Sequence, residues 1–221
     1  MISFSNESTE TESVETETLS DNERAIFQIF LLLTQLIIVV FLLVIFPILW
    51  YLLVNKCSIN QIITRLKLRL KNLDKAFLWA VITVIFMFAA SFIIGILVTI
   101  LGVKSDDQGN IQDLETYFSP LSMIILLAIQ PTTEEIFFRG FLLDKIRSFG
   151  GDYVGIVLTG ILFGLAHMSY GKIYPVIFIT LMGFVLAFIV IKTKSLYSAI
   201  LAHTAFNLIS FGLYILAKSA G

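Results

Sequence analysis

Residues 26–54 read IFQIFLLLTQLIIVVFLLVIFPILWYLLV, with no charged side chain in the run. About 20 apolar residues are enough for a helix to cross the hydrocarbon of a bilayer. The stretch therefore predicts a membrane-spanning helix, with Pro47 as a kink. The strands of a membrane barrel are short and alternate apolar with polar residues; this run does not alternate. Only helices and closed barrels satisfy their backbone within lipid, so the helix reading stands.

Five more apolar segments lie outward from it, at about 76–102, 118–146 (containing Pro131), 152–168, 173–191 and 195–217. The chain is 57% hydrophobic and only 14% charged, far from the balance of a soluble domain. The expectation is an all-α, polytopic transmembrane helical bundle of about six spans, one domain over residues 25–221. Residues 1–24 are different: rich in Ser, Thr and Glu, with a single base, Arg24. That composition buries too little apolar surface to fold, and predicts a disordered acidic tail. It has neither the basic start nor the small-residue cleavage site of a signal peptide.

A net charge of −1 gives no reason to expect a nucleic-acid partner; the expected surroundings are a lipid bilayer. Cys57 is the only cysteine, which excludes an internal disulfide and a cysteine metal cluster, and it reads as a lone residue at the membrane interface. Between the first two spans, Ser58–Lys75 carries Arg65, Lys67, Arg69 and Lys71 among Leu and Asn. This is a basic, amphipathic connector suited to the headgroup surface. Together with the loops holding Lys145 and Arg147, and Lys192 and Lys194, residues 55–75 form the basic side of the molecule. The excess of Lys and Arg places that side in the cytoplasm and both termini outside, in what is expected to be the cell membrane.

The decisive residues are those a membrane disfavours. A charge within a span is expensive unless paired or hydrated, and so signals function. The third segment holds Pro131-Thr132-Thr133-Glu134-Glu135-Ile136-Phe137-Phe138-Arg139-Gly140. Architecture accounts for part of it. If Pro131 interrupts a helix, Thr132 and Glu135 match a capping box, and Glu135 and Arg139 pair at i, i+4. Glu134, turned about 100° from Glu135, is left without a structural task. Both histidines also lie in spans: His167 follows Phe163 by one turn, and His203 precedes Asn207 by one turn. Gly160 and Gly164 form a small-xxx-small pair that lets a neighbouring helix approach. These polar groups are expected to face one another inside the bundle. Counting helical rise puts His167 deeper than His203 and Glu134, unless the fourth helix is short or tilted.

A carboxylate and a histidine can share a proton taken from water, and a histidine with an amide can donate to an oxyanion. These are parts for hydrolysing an amide with an activated water. There is no serine elbow, phosphate loop, dinucleotide fingerprint or His-Glu-x-x-His.

Glu-Glu-x-x-x-Arg, then Phe-x-x-x-His, then His-x-x-x-Asn resembles the CPBP family of intramembrane proteases, over about residues 118–217. That family includes type II CAAX prenyl endopeptidases and bacteriocin-processing and self-immunity proteins. The resemblance implies an endopeptidase acting on a membrane-associated or lipid-modified peptide or protein. In it, Glu134 would activate water and His167 would hold that water. His203 and Asn207 would stabilise the oxyanion, Glu135 and Arg139 would orient the site, and Phe163 would pack beneath His167. Members are often labelled metalloproteases, which makes Glu134, His167 and His203 the candidate ligands of a divalent metal such as zinc; a metal-free water is the other version. Two further classes compete: a proton-coupled transporter using the same groups as a relay, and a non-enzymatic immunity protein that keeps the fold.

Overall fold

The computed structural model describes residues 20–102, 117–168 and 173–220, and among these there is no strand. The expected acidic tail falls, up to residue 19, outside the described residues. Its last residues are helical. Helix α1 starts at Asp21, ahead of the boundary expected after Arg24, because Ser20 and Glu23 form a reciprocal capping box. α1 (Asp21–Val40) continues without a break through a π-helical turn, Phe41–Ile45, the short Phe46–Leu49 and a second π-helical turn, Trp50–Val54. Pro47 brings no amide hydrogen, and the chain absorbs it by widening the winding on both sides.

The short α2 (Ile59–Arg65) lies in the connector, and α3 (Leu73–Ile100) follows. Then come α4 (Pro120–Glu135), a π-helical segment Ile136–Leu142, α5 (Leu143–Leu165), α6 (Ile173–Thr193) and α7 (Tyr197–Ala220). Among the described residues, five stretches are long and apolar enough to cross a membrane, the longest being Pro120–Leu165. That stretch is not one rod. Gly151 has φ 75° and ψ −177°, a conformation reserved for glycine. Beyond it Gly155 sits against the side chains of Leu143 and Arg147, and the rings of Phe138 and Phe163 are 5.1 Å apart. In a straight helix the 25 positions from Phe138 to Phe163 would span roughly 37 Å. The chain therefore doubles back at Gly151, and the third and fourth apolar segments are the two limbs of a hairpin.

α6 packs on the second limb of this hairpin through the glycines. A Cβ on Gly183 would lie 2.7 Å from the Gly160 Cα, and one on Gly164 would overlap the Thr180 hydroxyl. The expected close approach at Gly160 and Gly164 is thus made, with α6 as the partner. The main core joins Ala80 and Met87 of α3, Leu143 of the hairpin, Leu186 and Val190 of α6, and Ala199 and Ala202 of α7.

The connector folds over one end of the bundle. The Leu196 amide donates to the Lys67 carbonyl at 3.0 Å, and Tyr51 donates to Asp144 at 2.9 Å. Arg65 lies 3.7 Å from the same Asp144. The three basic loops therefore meet at one end, the grouping expected from their charge. Cys57 is buried against Tyr51, Ile62 and Leu66, and one detail of the connector differs from expectation. Lys67 adopts a left-handed backbone (φ 57°), and its ammonium turns inward, buried without a hydrogen-bond partner among the described residues. Burial pushes the Lys67 pKa below the ordinary lysine value, against the pull of Asp144.

An inward, unpartnered ammonium weakens the fold while it is charged. Replacing Lys67 with Met keeps the apolar stem and removes the charge. The expected result is a higher unfolding midpoint in detergent, by about 2–4 °C for each kcal/mol gained. The folded pKa is the lower one, so the unfolded chain binds the extra proton, and parent stability rises with pH through that window. The gap between Lys67→Met and the parent should narrow as pH climbs toward the lysine range. A gap that widens with pH would contradict the burial.

Candidate active site

The site begins at the end of α4. Pro131 does not stop this helix; the chain stays helical from Pro120 through Glu135. Thr132 consequently has no cap to make. Its hydroxyl donates to the Ala128 carbonyl at 3.2 Å, and Thr133 donates to Gln130 at 2.8 Å. The capping box expected between Thr132 and Glu135 is absent, because neither residue stands at a helix start.

Glu135 does something else. Its Oε1 accepts from Arg139 at 2.8 Å and from His203 Nδ1 on α7 at 2.9 Å. The Glu135 and Arg139 side chains are fully buried. The i, i+4 ion pair is the expected one; its extension to His203 ties the hairpin to α7. Arg139 also donates to the Gly183 carbonyl at 3.3 Å, which adds α6. The other Glu135 oxygen and Arg139 Nε are buried without partners among the described residues.

An aromatic floor completes the cluster. The Phe163 ring lies 4.1 Å below the Arg139 guanidinium, a cation–π contact. The same ring is 4.8 Å from the His167 ring and 5.7 Å, edge-on, from the His203 ring. One phenyl group thus separates and levels the two imidazoles. The depth mismatch expected for His167 does not arise, because the second hairpin limb is short.

The tautomers follow from the partners. The Phe163 carbonyl can only accept, so its 2.8 Å contact with His167 Nδ1 makes that nitrogen the N–H donor. Ionised Glu135 likewise requires the N–H of His203 on Nδ1. In each imidazole Nδ1 is thus the nitrogen that faces its acceptor.

Glu134 is buried beside this cluster, and is the second carboxylate near enough to act on the Arg139 charge. Its Oε1 accepts from Gln130 Nε2 at 3.0 Å. Asn207, one turn beyond His203, is half-buried and makes no side-chain hydrogen bond among the described residues. So Glu135, Arg139, Phe163, His167 and His203 form one contact chain, Glu134 adjoins it, and Asn207 lies one turn beyond His203 on α7.

Two contributors escaped the sequence reading. Gln130 sits one turn before Glu134, a spacing that could have signalled it. Gly183 acts through its carbonyl, and no side-chain pattern announces a carbonyl.

The candidate metal ligands Glu134, His167 and His203 do not form a ready set. Among the described residues, no three His, Cys, Asp or Glu side chains are grouped to hold a metal ion. The arrangement does not fit a three-ligand zinc site, and no step below passes through one.

Residues 116–209 carry every one of these groups, and they match the family model described as type II CAAX prenyl endopeptidase Rce1-like. This stretch is similar to that family. The Rce1-like segment starts just before α4 and ends within α7, so the hairpin, α6 and the first half of α7 lie inside it. A curated relative, the uncharacterized protein YyaK of Bacillus subtilis (strain 168), is 36% identical over 91 residues. That alignment covers 38% of this chain and 30% of YyaK, so the chain spans less than a third of its relative. No solved structure matches the chain. The chain is thus an integral membrane protein, and residues 116–209 are similar to the Rce1-like family.

Proposed function

We propose that the protein is an intramembrane endopeptidase that hydrolyses a peptide bond of a membrane-associated or lipid-modified, CAAX-like substrate, with a water activated by Glu134 and His167. The observation that carries this reading is the fully buried Glu135 carboxylate joining Arg139 to His203. A buried ion pair is a weak stabiliser, often matched by well-packed apolar residues. A pair that also fixes the tautomer and aim of a histidine serves chemistry better than architecture.

Glu134 takes a proton from water as the oxygen adds to the peptide carbonyl carbon. His167, with Nδ1–H held by Phe163, accepts from that water through Nε2. The oxyanion that forms is met by His203 and Asn207. His203 gives Nδ1–H to Glu135, so donation from Nε2 requires the imidazolium, whose charge Glu135 balances. The proton on Glu134 then passes to the leaving nitrogen as the carbon–nitrogen bond breaks, yielding a new carboxylate and a new amine. In this reading the basic end faces the cytoplasm and both termini face outward, the arrangement that the charge bias of the loops favours.

Gln130 holds the Glu134 carboxylate in place. Gln130→Leu is expected to lower kcat roughly ten-fold, the scale of a hydrogen bond to a charged group, with KM unchanged. Unchanged turnover would remove Gln130 from the site.

The function is tested with purified protein in liposomes and two anchored peptides, one farnesylated at a C-terminal CAAX sequence and one held by an apolar segment alone. At least one should be cleaved, and cleavage should survive exhaustive chelation. Cleavage of neither would sink the reading, and activity restored only by stoichiometric zinc would replace the metal-free route.

A further inference from the structure

At the basic end of the bundle, a cleft of about 550 Å³ lies between the loop after α1 and the polar face of α2. Lys56, Arg65 and Arg69 line it, with Asn55, Gln61 and Thr64 among the remaining groups, and no acidic side chain does. The three cations are exposed, and among the described residues Lys56 and Arg69 have no ion-pair partner. Arg65 has one, Asp144 at 3.7 Å, which anchors its guanidinium at the rim. The connector runs from the end of one membrane helix at Val54 to the start of the next at Leu73, so the cleft lies at headgroup level. Ile59 and Leu70 on the same connector are 70% and 75% exposed, an apolar edge beside the cationic cleft.

We propose that this cleft binds the phosphate of an anionic phospholipid headgroup. Two guanidinium groups and an ammonium line the same cleft, charges suited to a phosphodiester, and the amide side chains add neutral donors. The neighbouring Ile59 and Leu70 favour a lipid over a soluble phosphate, because acyl chains would cover them while the headgroup is held. This site stands on the connector alone and does not depend on the peptidase reading.

The test is native mass spectrometry of the full chain in detergent, with equal phosphatidylglycerol and phosphatidylcholine added. The parent should retain phosphatidylglycerol in preference. Retention should fall roughly five-fold for each cation removed in K56Q/R65Q/R69Q. The double K56Q/R69Q spares the Arg65–Asp144 pair and should show its share of the loss with an unchanged unfolding midpoint. K71Q/K75Q/K192Q, which removes as many cations outside the cleft, should retain the lipid. Equal retention by the parent and K56Q/R65Q/R69Q would overturn the proposal, and so would equal losses in the two triple variants. Displacement of the lipid by excess inorganic phosphate would overturn the lipid assignment in favour of a soluble phosphate.

Discussion

Arg139→Met should destabilise the protein by about 3–5 kcal/mol, the scale for breaking a buried ion pair from one side. The reason lies in what remains. Glu135 is fully buried, and its Oε1 holds both Arg139 and His203. Without the guanidinium, an ionised carboxylate stays in the bundle with one imidazole as its only partner. The loss spreads further, because Arg139 also bonds the Gly183 carbonyl of α6 and stacks on Phe163. Arg139→Lys should recover only part of the stability, since an ammonium cannot reproduce the planar fork. The measurement is the unfolding midpoint in detergent, with protease resistance in membranes as a second readout. An Arg139→Met protein as stable as the parent would show that the buried pair does not hold the hairpin to α6 and α7.

Glu134→Gln should behave in the opposite way: fold kept, activity lost. Its one side-chain hydrogen bond among the described residues is accepted from Gln130, and a glutamine carbonyl can accept it too. What disappears is the base. General base catalysis contributes typically about 10²–10⁴-fold, so turnover should fall by that factor with the unfolding midpoint unchanged. Glu135→Gln is the contrast. It weakens the contacts to Arg139 and His203 together, so stability and activity should fall in company. If Glu134→Gln unfolds the protein while Glu135→Gln leaves it intact, the two carboxylates have exchanged roles.

These assignments began in the sequence to different degrees. The six apolar segments were legible because length and continuity decide a membrane span, and the turn at Gly150-Gly151 marks where two of them reverse. The Glu135–Arg139 pair was legible because i, i+4 groups share a helical face. The Glu135–His203 bond was not, since 68 positions separate the two and only the packing of α7 against α4 brings them together. The capping box failed for a local reason. Pro131 was read as a stop, but the helix continues through it and Thr132 bonds back to Ala128. Lys67 failed for another: the alternation of basic residues suggested one outward face, and a left-handed backbone at Lys67 turns its ammonium inward. Gly160 and Gly164 announced a close helix contact, yet nothing in the sequence named Gly183 as the opposing surface.

The central claim is that a peptide bond is hydrolysed by water at Glu134. The most direct measurement is mass spectrometry of anchored peptides incubated in heavy-oxygen water with purified parent protein or Glu134→Gln in liposomes. The parent should generate new carboxyl termini that carry the heavy oxygen, and Glu134→Gln should generate almost none. Equal labelling by the two proteins, or no new terminus with the parent, would contradict the account.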